Sequence, residues 1–388
     1  MIEFILGILL LILIGAGMIE SYMLQITLSQ LPIRIHVNGS RGKSSVTRLI
    51  AAGLRSGGLK TLAKTTGTSP RIIDQNGKDR IIHRLRSASI GEQVRLLRNL
   101  SKENPDAIVI ECMAVNPQYQ WISEQKMVKS TTSVITNVRP DHLDEMGSTL
   151  EENAMSLSNT IPFNGYLVTS EQKMSYVFSK IADKRKTKYI PVDTESISDM
   201  FMRKFNYLEH IDNVALALKV CEIYGVDKDI ALKGMLKAQP DPGATLIWKI
   251  KNENLKNYFV NLMAANDPES TYQAYKNLRS RIKETRICIF FNTRKDRRYR
   301  TNQLLSLIYN KIQPDTLIIR GENFPDKFQE YKENYPSMNV HELSYNANSQ
   351  DVINSFFNLS GYYIIGVGNM VGWGEQFVSD LKEYKYDR

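Results

Sequence analysis

The chain has 388 residues, 42% of them hydrophobic and 23% charged, with 50 lysines and arginines against 41 acidic residues and a formal net charge of +9. That length and balance suit a folded protein with room for two ordinary domains and exclude a disordered or low-complexity chain. Three scattered cysteines, Cys112, Cys221 and Cys288, with no C-x-x-C pair, argue against a disulfide scaffold or a zinc ribbon and fit a reducing compartment. The positive balance suits an anionic partner: nucleotide, an acidic membrane leaflet or an acidic polymer. Nucleic acid is the weakest candidate, because no basic segment interleaved with aromatics and no helix-turn-helix or RRM-like signature is present.

Residues 4–19 form an uncharged stretch, FILGILLLILIGAGMI, bounded by Glu3 and Glu20. Sixteen helical residues reach roughly 24 Å, short of a ~30 Å hydrocarbon core, and the uncharged residues 21–26 extend the span. This predicts a transmembrane anchor over residues 1–26. A cleaved secretory signal fits poorly, since there is no positive n-region and no clear A-x-A site. The first basic residues, Arg34, Arg41 and Lys43, follow the span and place the globular part on the cytoplasmic side of a cell membrane.

Next, Ile33, Ile35 and Val37 alternate as a short strand, and from Lys43 the apolar spacing of Val46, Leu49, Ile50 and Leu54 turns helical. Gly39-Ser40-Arg41-Gly42-Lys43-Ser44, followed by Ser45, therefore sits at a strand-to-helix turn, where a phosphate loop belongs. Glycines let backbone N–H groups close around phosphate oxygens and the helix N-terminus favours negative charge; Lys43 can reach the terminal phosphates and Ser44 can ligate Mg²⁺. Val37 occupies the first glycine position of the longer G-x-x-x-x-G-K-[ST] pattern, so only the shorter form is met.

Further along, residues 107–110 read as an apolar strand ending in Glu111, a carboxylate that either binds a cation or caps and pairs locally. Asp141, His142 and Asp144 cluster in RPDHLDEMGST, and His210 and Asn213 open the helical segment HIDNVALAL. Thr65, Thr66 and Thr68 around Gly67 suit a phosphate turn and ordinary turn chemistry equally. Arg294, Asp296 and Arg297 lie in a charged run, FNTRKDRRYRT.

These pieces, in this order, resemble the Mur ligases and folylpolyglutamate synthases, whose phosphate loop reads G-T-N-G-K-T. The resemblance implies an α/β protein with a central P-loop ATPase domain over residues 33–243 and a smaller C-terminal Rossmann-like domain over 244–388, hinged at Asp241-Pro242-Gly243. Under it, Glu111 and His142 join Ser44 as Mg²⁺ ligands, with Asp141 beside them. Asn213 faces the adenine, and Arg294 and Asp296 contact nucleotide. Lys43, Glu111 and His142 then carry the chemistry. The resemblance assigns no particular lysine to the place of the carbamylated lysine of many Mur ligases and leaves its presence open, and the arginine that often follows the hinge glycine is absent.

Within that superfamily the chain resembles the ligase subunits of poly-γ-glutamate synthases. NGSRGKSSVTRL, AKTTGTSPR, ECMAVNPQYQ, DHLDEMGSTLEE, QPDPGA, ANDPEST and IIGVGNMVG carry this resemblance and span nearly the whole chain. It implies an ATP- and Mg²⁺-dependent ligase that joins glutamate to a growing poly-γ-glutamate chain through an acyl phosphate. It also implies membrane subunits similar to PgsC/CapC and PgsA/CapA as partners, and it leaves a homo-oligomer open. The phosphate loop follows the anchor so closely that no N-terminal UDP-sugar domain is expected. The alternatives are a Mur- or folylpolyglutamate-type ligase acting on another acidic acceptor and a non-catalytic nucleotide-binding scaffold.

Overall fold

The computed structural model describes all residues except 1, 67–69, 83–90, 140–142, 196, 203, 241–244, 253–254, 264–267, 283–284, 294–297, 322–326, 371 and 387–388. The chain divides into two compact units, one of residues 1–198 and 209–242, the other of residues 199–208 and 243–388.

The first unit begins with a single helix, Ile2–Ser29. Its portion Phe4–Ser29 is, among the described residues, the one helix long and apolar enough to cross a membrane by length and composition, with a mean hydropathy of 2.4. At 1.5 Å per residue, 28 helical residues span about 42 Å. The end of this helix is part of the folded unit: Leu24, Leu28 and Leu31 pack with Leu96, Leu97, Leu100 and Val128. The Arg34 guanidinium donates to the carbonyls of Leu28, Leu31, Val128 and Lys129, so helix-end carbonyls that would lack partners are satisfied by a side chain.

Eight strands follow: β1 Ile33–Asn38, β2 Thr61–Thr65, β3 Arg71–Ile73, β4 Asp79–Ile81, β5 Ala107–Glu111, β6 Thr132–Ile135, β7 Tyr166–Thr169 and β8 Lys188–Pro191. They form one sheet in the order β4-β3-β2-β5-β1-β6-β7-β8. All neighbours pair in parallel except the antiparallel hairpin β2-β3-β4 at one edge. Strands with helices on both faces read as short apolar runs, as AIVIE does in β5. The helix Lys43–Ser56 returns from the end of β1 along one face and packs against helices Ile211–Ile223 and Lys228–Met235.

The polar positions of β1 do not face water. On the side of Arg34, His36 is fully buried with Nδ1 2.8 Å from Glu124 Oε2, and Asn38 Nδ2 donates to Gln120 Oε1 at 2.8 Å. Glu124 also accepts from the Ser130 N–H and hydroxyl. A buried charge survives only when paired and hydrogen-bonded, and this carboxylate is both. Burial opposes the charged imidazole, but Cys112 and Glu124 outweigh it and raise the His36 pKa to about 10. Because the folded value lies above the ordinary one near 6.5, the pair contributes stability that is complete below pH 6.5 and lost as pH rises through about 10. Thermal melts from pH 6.5 to 10 are expected to show a steeper fall in Tm for the wild type than for His36→Gln.

The second unit holds β9 Ile247–Asn252, β10 Leu255–Asn261, β11 Ile287–Asn292, β12 Thr316–Gly321, β13 Asn339–Ser344 and β14 Tyr363–Gly368, in the order β13-β12-β11-β14-β10-β9. Five strands are parallel and β9 adds an antiparallel edge. One face is filled by an aromatic cluster of Phe259, Phe290, Phe356 and Phe377, with Trp373 stacked on Phe377 at 5.3 Å. Residues 199–208 join this unit through a bridge from Tyr207 to Leu246.

Candidate active site

The site is built where β1 and β5 end side by side, Val37 paired with Glu111. Gly39 leaves β1 with φ of 131°, and Gly42 caps the following helix with φ of 84°. A Cβ at Gly39 would lie 2.0 Å from Thr136 Oγ1, and one at Gly42 would lie 2.7 Å from Asn213 Oδ1. Both backbone angle and space therefore demand glycine.

The loop between them is braced by the segment after β6. The Ser40 N–H donates to the Asn137 carbonyl, and Ser40 Oγ exchanges bonds of 3.0 Å with the Arg139 carbonyl and N–H. The Arg41 N–H donates to Asn137 Oδ1 at 3.1 Å, while the Arg41 carbonyl accepts from Thr136 Oγ1 at 2.6 Å and Asn137 Nδ2 at 3.0 Å. Helix Lys43–Ser56 starts immediately beyond, and the N–H groups of a first helical turn have no intrahelical acceptors. Together with the helix dipole they make a site for an anion.

Three of the expected residues converge here. Lys43 Nζ folds back onto the loop, donating to the Gly39 carbonyl at 2.6 Å and the Ser40 carbonyl at 3.4 Å. Ser44 Oγ donates to Glu111 Oε2 at 2.9 Å, and the Thr66 N–H donates to the same oxygen at 2.7 Å. Glu111 is buried, so its carboxylate is held at the base of the site and not in solvent. Ser44 and Glu111 are hard oxygen donors suited to Mg²⁺, which typically takes one or two protein oxygens and completes its shell with phosphates and water. Among the described residues no group of three or more His, Cys, Asp and Glu side chains is placed to hold a metal.

Ser45 and Asn213 meet on a residue that the sequence reading passed over. Glu209, buried and one position before the helix cap His210, accepts from Ser45 Oγ with Oε2. Its Oε1 accepts from Asn213 Nδ2 and the His210 N–H, both at 2.8 Å. Glu209 thus ties the phosphate-loop helix to helix Ile211–Ile223. A buried carboxylate next to an H-x-x-N helix start is the signal that was available. His210 caps that helix, its Nδ1 accepting from the Asp212 N–H and lying 3.2 Å from Asp212 Oδ2. His142 with Asp141, Arg294 with Asp296, Gly67 with Thr68, and the hinge at 241–243 lie outside the described residues. Asp144 is exposed on the short helix Leu143–Met146.

The Mur ligase middle domain model matches residues 37–237, and the poly-gamma-glutamate synthase CapB C-terminal domain model matches residues 247–384. The chain is 38% identical over 377 residues to PGA synthase CapB of Bacillus subtilis (strain 168), covering 95% of each. It is 37% identical over 384 residues to capsule biosynthesis protein CapB of Bacillus anthracis, covering 98% of this chain and 83% of that one. Among solved structures, a UDP-N-acetylmuramoyl-L-alanyl-D-glutamate–2,6-diaminopimelate ligase superposes with a TM-score of 0.67 at 16% identity, covering 91% of this chain and 78% of that one.

A phosphate loop on a parallel sheet, followed by a second α/β sheet unit, in a chain matched by the Mur ligase model, defines an ATP-dependent amide ligase with the Mur-ligase fold. Within that class the chain belongs to the CapB family.

The Glu209 bridge makes a prediction. Glu209→Ala leaves Ser45 Oγ, Asn213 Nδ2 and the His210 N–H without this acceptor; of the three Asn213 is the buried one, and a buried group left unpaired costs about 1–3 kcal/mol. Calorimetric titration with an ATP analogue is expected to show affinity reduced about tenfold, roughly 1.4 kcal/mol. Wild-type affinity would mean that the bridge braces the fold alone.

Proposed function

We propose that the protein is the ligase subunit of a membrane-bound poly-γ-glutamate synthase, using ATP to join glutamate residues through γ-amide bonds. The observation that carries this reading is the convergence of Lys43, Ser44 and Glu111 at the ends of β1 and β5 in a chain whose relatives are named PGA synthase CapB and capsule biosynthesis protein CapB.

A carboxylate is a poor acyl donor, so the first step moves the γ-phosphoryl group of ATP onto a glutamate γ-carboxylate oxygen, giving an acyl phosphate and ADP. The amine of another glutamate then attacks the carbonyl carbon. The C–N bond forms, the C–O bond to phosphate breaks, phosphate leaves, and the amine loses a proton. Charge builds on the transferred phosphoryl oxygens, and fixed cations and aligned N–H groups lower that barrier most. In this reading Lys43 leaves the Gly39 and Ser40 carbonyls for the β- and γ-phosphates, and Gly39 to Ser45 wrap the phosphate chain. Ser44, Glu111 and His142 would hold Mg²⁺, which would supply neutralisation of phosphate charge. Asn213 is the adenine contact and Arg294 and Asp296 are nucleotide contacts.

The helix Phe4–Ser29 supports a single-pass anchor with the catalytic units on the cytoplasmic side, where membrane subunits similar to PgsC/CapC and PgsA/CapA would receive the polymer. Deleting residues 1–26 also removes Leu24 from the cluster around Leu96 and Leu97. The truncated chain is expected to retain ATP hydrolysis at modestly lower Tm and to lose export of polymer to the cell surface; full export would refute the tether.

The test is phosphate release from ATP by membranes carrying the protein and its candidate membrane subunits, with and without L- or D-glutamate, beside a size assay for polymer. Glutamate-stimulated release with polymer is the expected result. Release stimulated by another amino acid and indifferent to glutamate would overturn the reading in favour of a different acidic acceptor.

A further inference from the structure

The first unit carries a cavity of about 430 Å³ that the reaction above does not use. It lies between the second half of helix Lys43–Ser56, the turn of the β3-β4 hairpin and the chain after helix Lys228–Met235. Its volume falls within the ~300–1,000 Å³ common for ligand pockets. Arg48, Arg55, Lys78 and Lys237 line it together with the amides of Gln75 and Gln239, and no acidic residue is among the lining.

The four cations differ in how they are held. Arg48 is buried and gripped by Asp79, NH1 to Oδ1 at 2.9 Å and NH2 to Oδ2 at 2.8 Å, yet its buried Nε has no hydrogen-bond partner. Arg71 shares that same carboxylate at 3.5 Å. Arg55 donates to the Thr61 carbonyl at 3.2 Å. Burial lowers its pKa to about 10, with Asp74 opposing the drop, so it stays charged at neutral pH. Lys78 and Lys237 are exposed, and among the described residues their ammonium groups make no ion pair or hydrogen bond. Asp74 and Asp79 thus face four lining cations, and positive charge remains in excess.

Position separates this cavity from the phosphate loop. Along the one helix Arg48 stands five residues and Arg55 twelve residues beyond Lys43, about 8 and 18 Å along its axis, so the cavity begins one and a half turns past the loop and runs away from it. Arg48 and Arg55, seven residues apart, spread positive charge over about 10 Å, and Lys78 and Lys237 extend it onto two other elements. A single phosphate would engage one end of such an array. A chain bearing a carboxylate on every residue would engage it along its length, through the Arg55 guanidinium and the Lys78 and Lys237 ammonium groups, while Arg48 stays on Asp79 and adds its charge.

The geometry points to a holding site for an oligo-carboxylate chain, whose occupant, on the ligase reading above, is a stretch of the γ-linked glutamate product. Retention of the product away from the phosphate loop keeps its end near the site between additions.

The test uses the full chain in detergent and fluorescein-labelled penta-γ-glutamate followed by fluorescence anisotropy. The wild type is expected to bind the peptide with an affinity that falls as salt rises. Lys78→Glu combined with Lys237→Glu is expected to raise Kd at least tenfold, with affinity for an ATP analogue kept. Equal affinity in wild type and double variant, or no binding by the wild type, would overturn the inference. So would tighter binding of inorganic phosphate or phosphatidylglycerol micelles than of the peptide, lost in the same variant. Polymer synthesis, scored for wild type and double variant in membranes that also carry the candidate membrane subunits, separates the two claims. Polymer without peptide binding removes the cavity inference alone, and peptide binding without glutamate-dependent synthesis removes the ligase reading alone.

Discussion

Lys43→Ala is expected to reduce glutamate-dependent phosphate release by roughly 10²–10³ or more, the range seen when one preorganised charge-stabilising group is removed from a transition state. The fold should survive the change. Lys43 is half-buried, and among the described residues its ammonium bonds only the Gly39 and Ser40 carbonyls, which lie in a loop already braced by Thr136, Asn137 and Arg139. Circular dichroism and Tm near wild-type values, with turnover at background, are the expected pair of results. Normal product formation in this variant would remove the charge clamp and favour a non-catalytic scaffold.

The second large effect falls on Glu111. In Glu111→Gln the side chain keeps its size and one oxygen to accept from Ser44 Oγ and the Thr66 N–H, but it loses its negative charge. A neutral amide is a much weaker Mg²⁺ ligand than a carboxylate, so turnover is expected to fall about 10²-fold and the Mg²⁺ concentration for half-maximal rate to rise, with little change in Tm. The measurement is the Mg²⁺ dependence of phosphate release at saturating ATP. An unchanged Mg²⁺ midpoint would reduce Glu111 to a bracket for Ser44 and Thr66.

The heart of this site was legible because it is local. Strand alternation at Ile33, Ile35 and Val37, a glycine-bounded turn and helical spacing from Lys43 lie within one stretch of chain, and each part depends on its neighbours in sequence. The apolar run before Glu111 was readable for the same reason. What the sequence did not disclose are contacts between distant segments. Thr136 and Asn137, which carry no motif of their own, brace a loop some 95 residues earlier. Glu209 reaches Ser45 across 164 residues and joins it to Asn213.

β1 shows the limit most clearly. Arg34, His36 and Asn38 alternate with apolar residues as if one face met water, yet the strand is central and both faces are covered, so those polar groups required partners at Glu124, Gln120 and the carbonyls after Val128. Binary patterning cannot distinguish a solvated polar face from a buried one held by distant partners. The edge hairpin β3-β4, which helps form the basic cavity, was likewise unread, because strands of three residues leave no periodic signal.

Activation of a glutamate γ-carboxylate by ATP is the central step of the proposed reaction, and isotope transfer tests it most directly. Membranes carrying the protein and its candidate membrane subunits would be supplied with ATP and glutamate bearing ¹⁸O in the γ-carboxylate, and the released phosphate analysed by mass spectrometry. One ¹⁸O atom in each phosphate released, in step with polymer growth, is the predicted result. Unlabelled phosphate accompanying polymer growth would contradict carboxylate activation, and with it the ligase mechanism assigned to Lys43, Ser44 and Glu111.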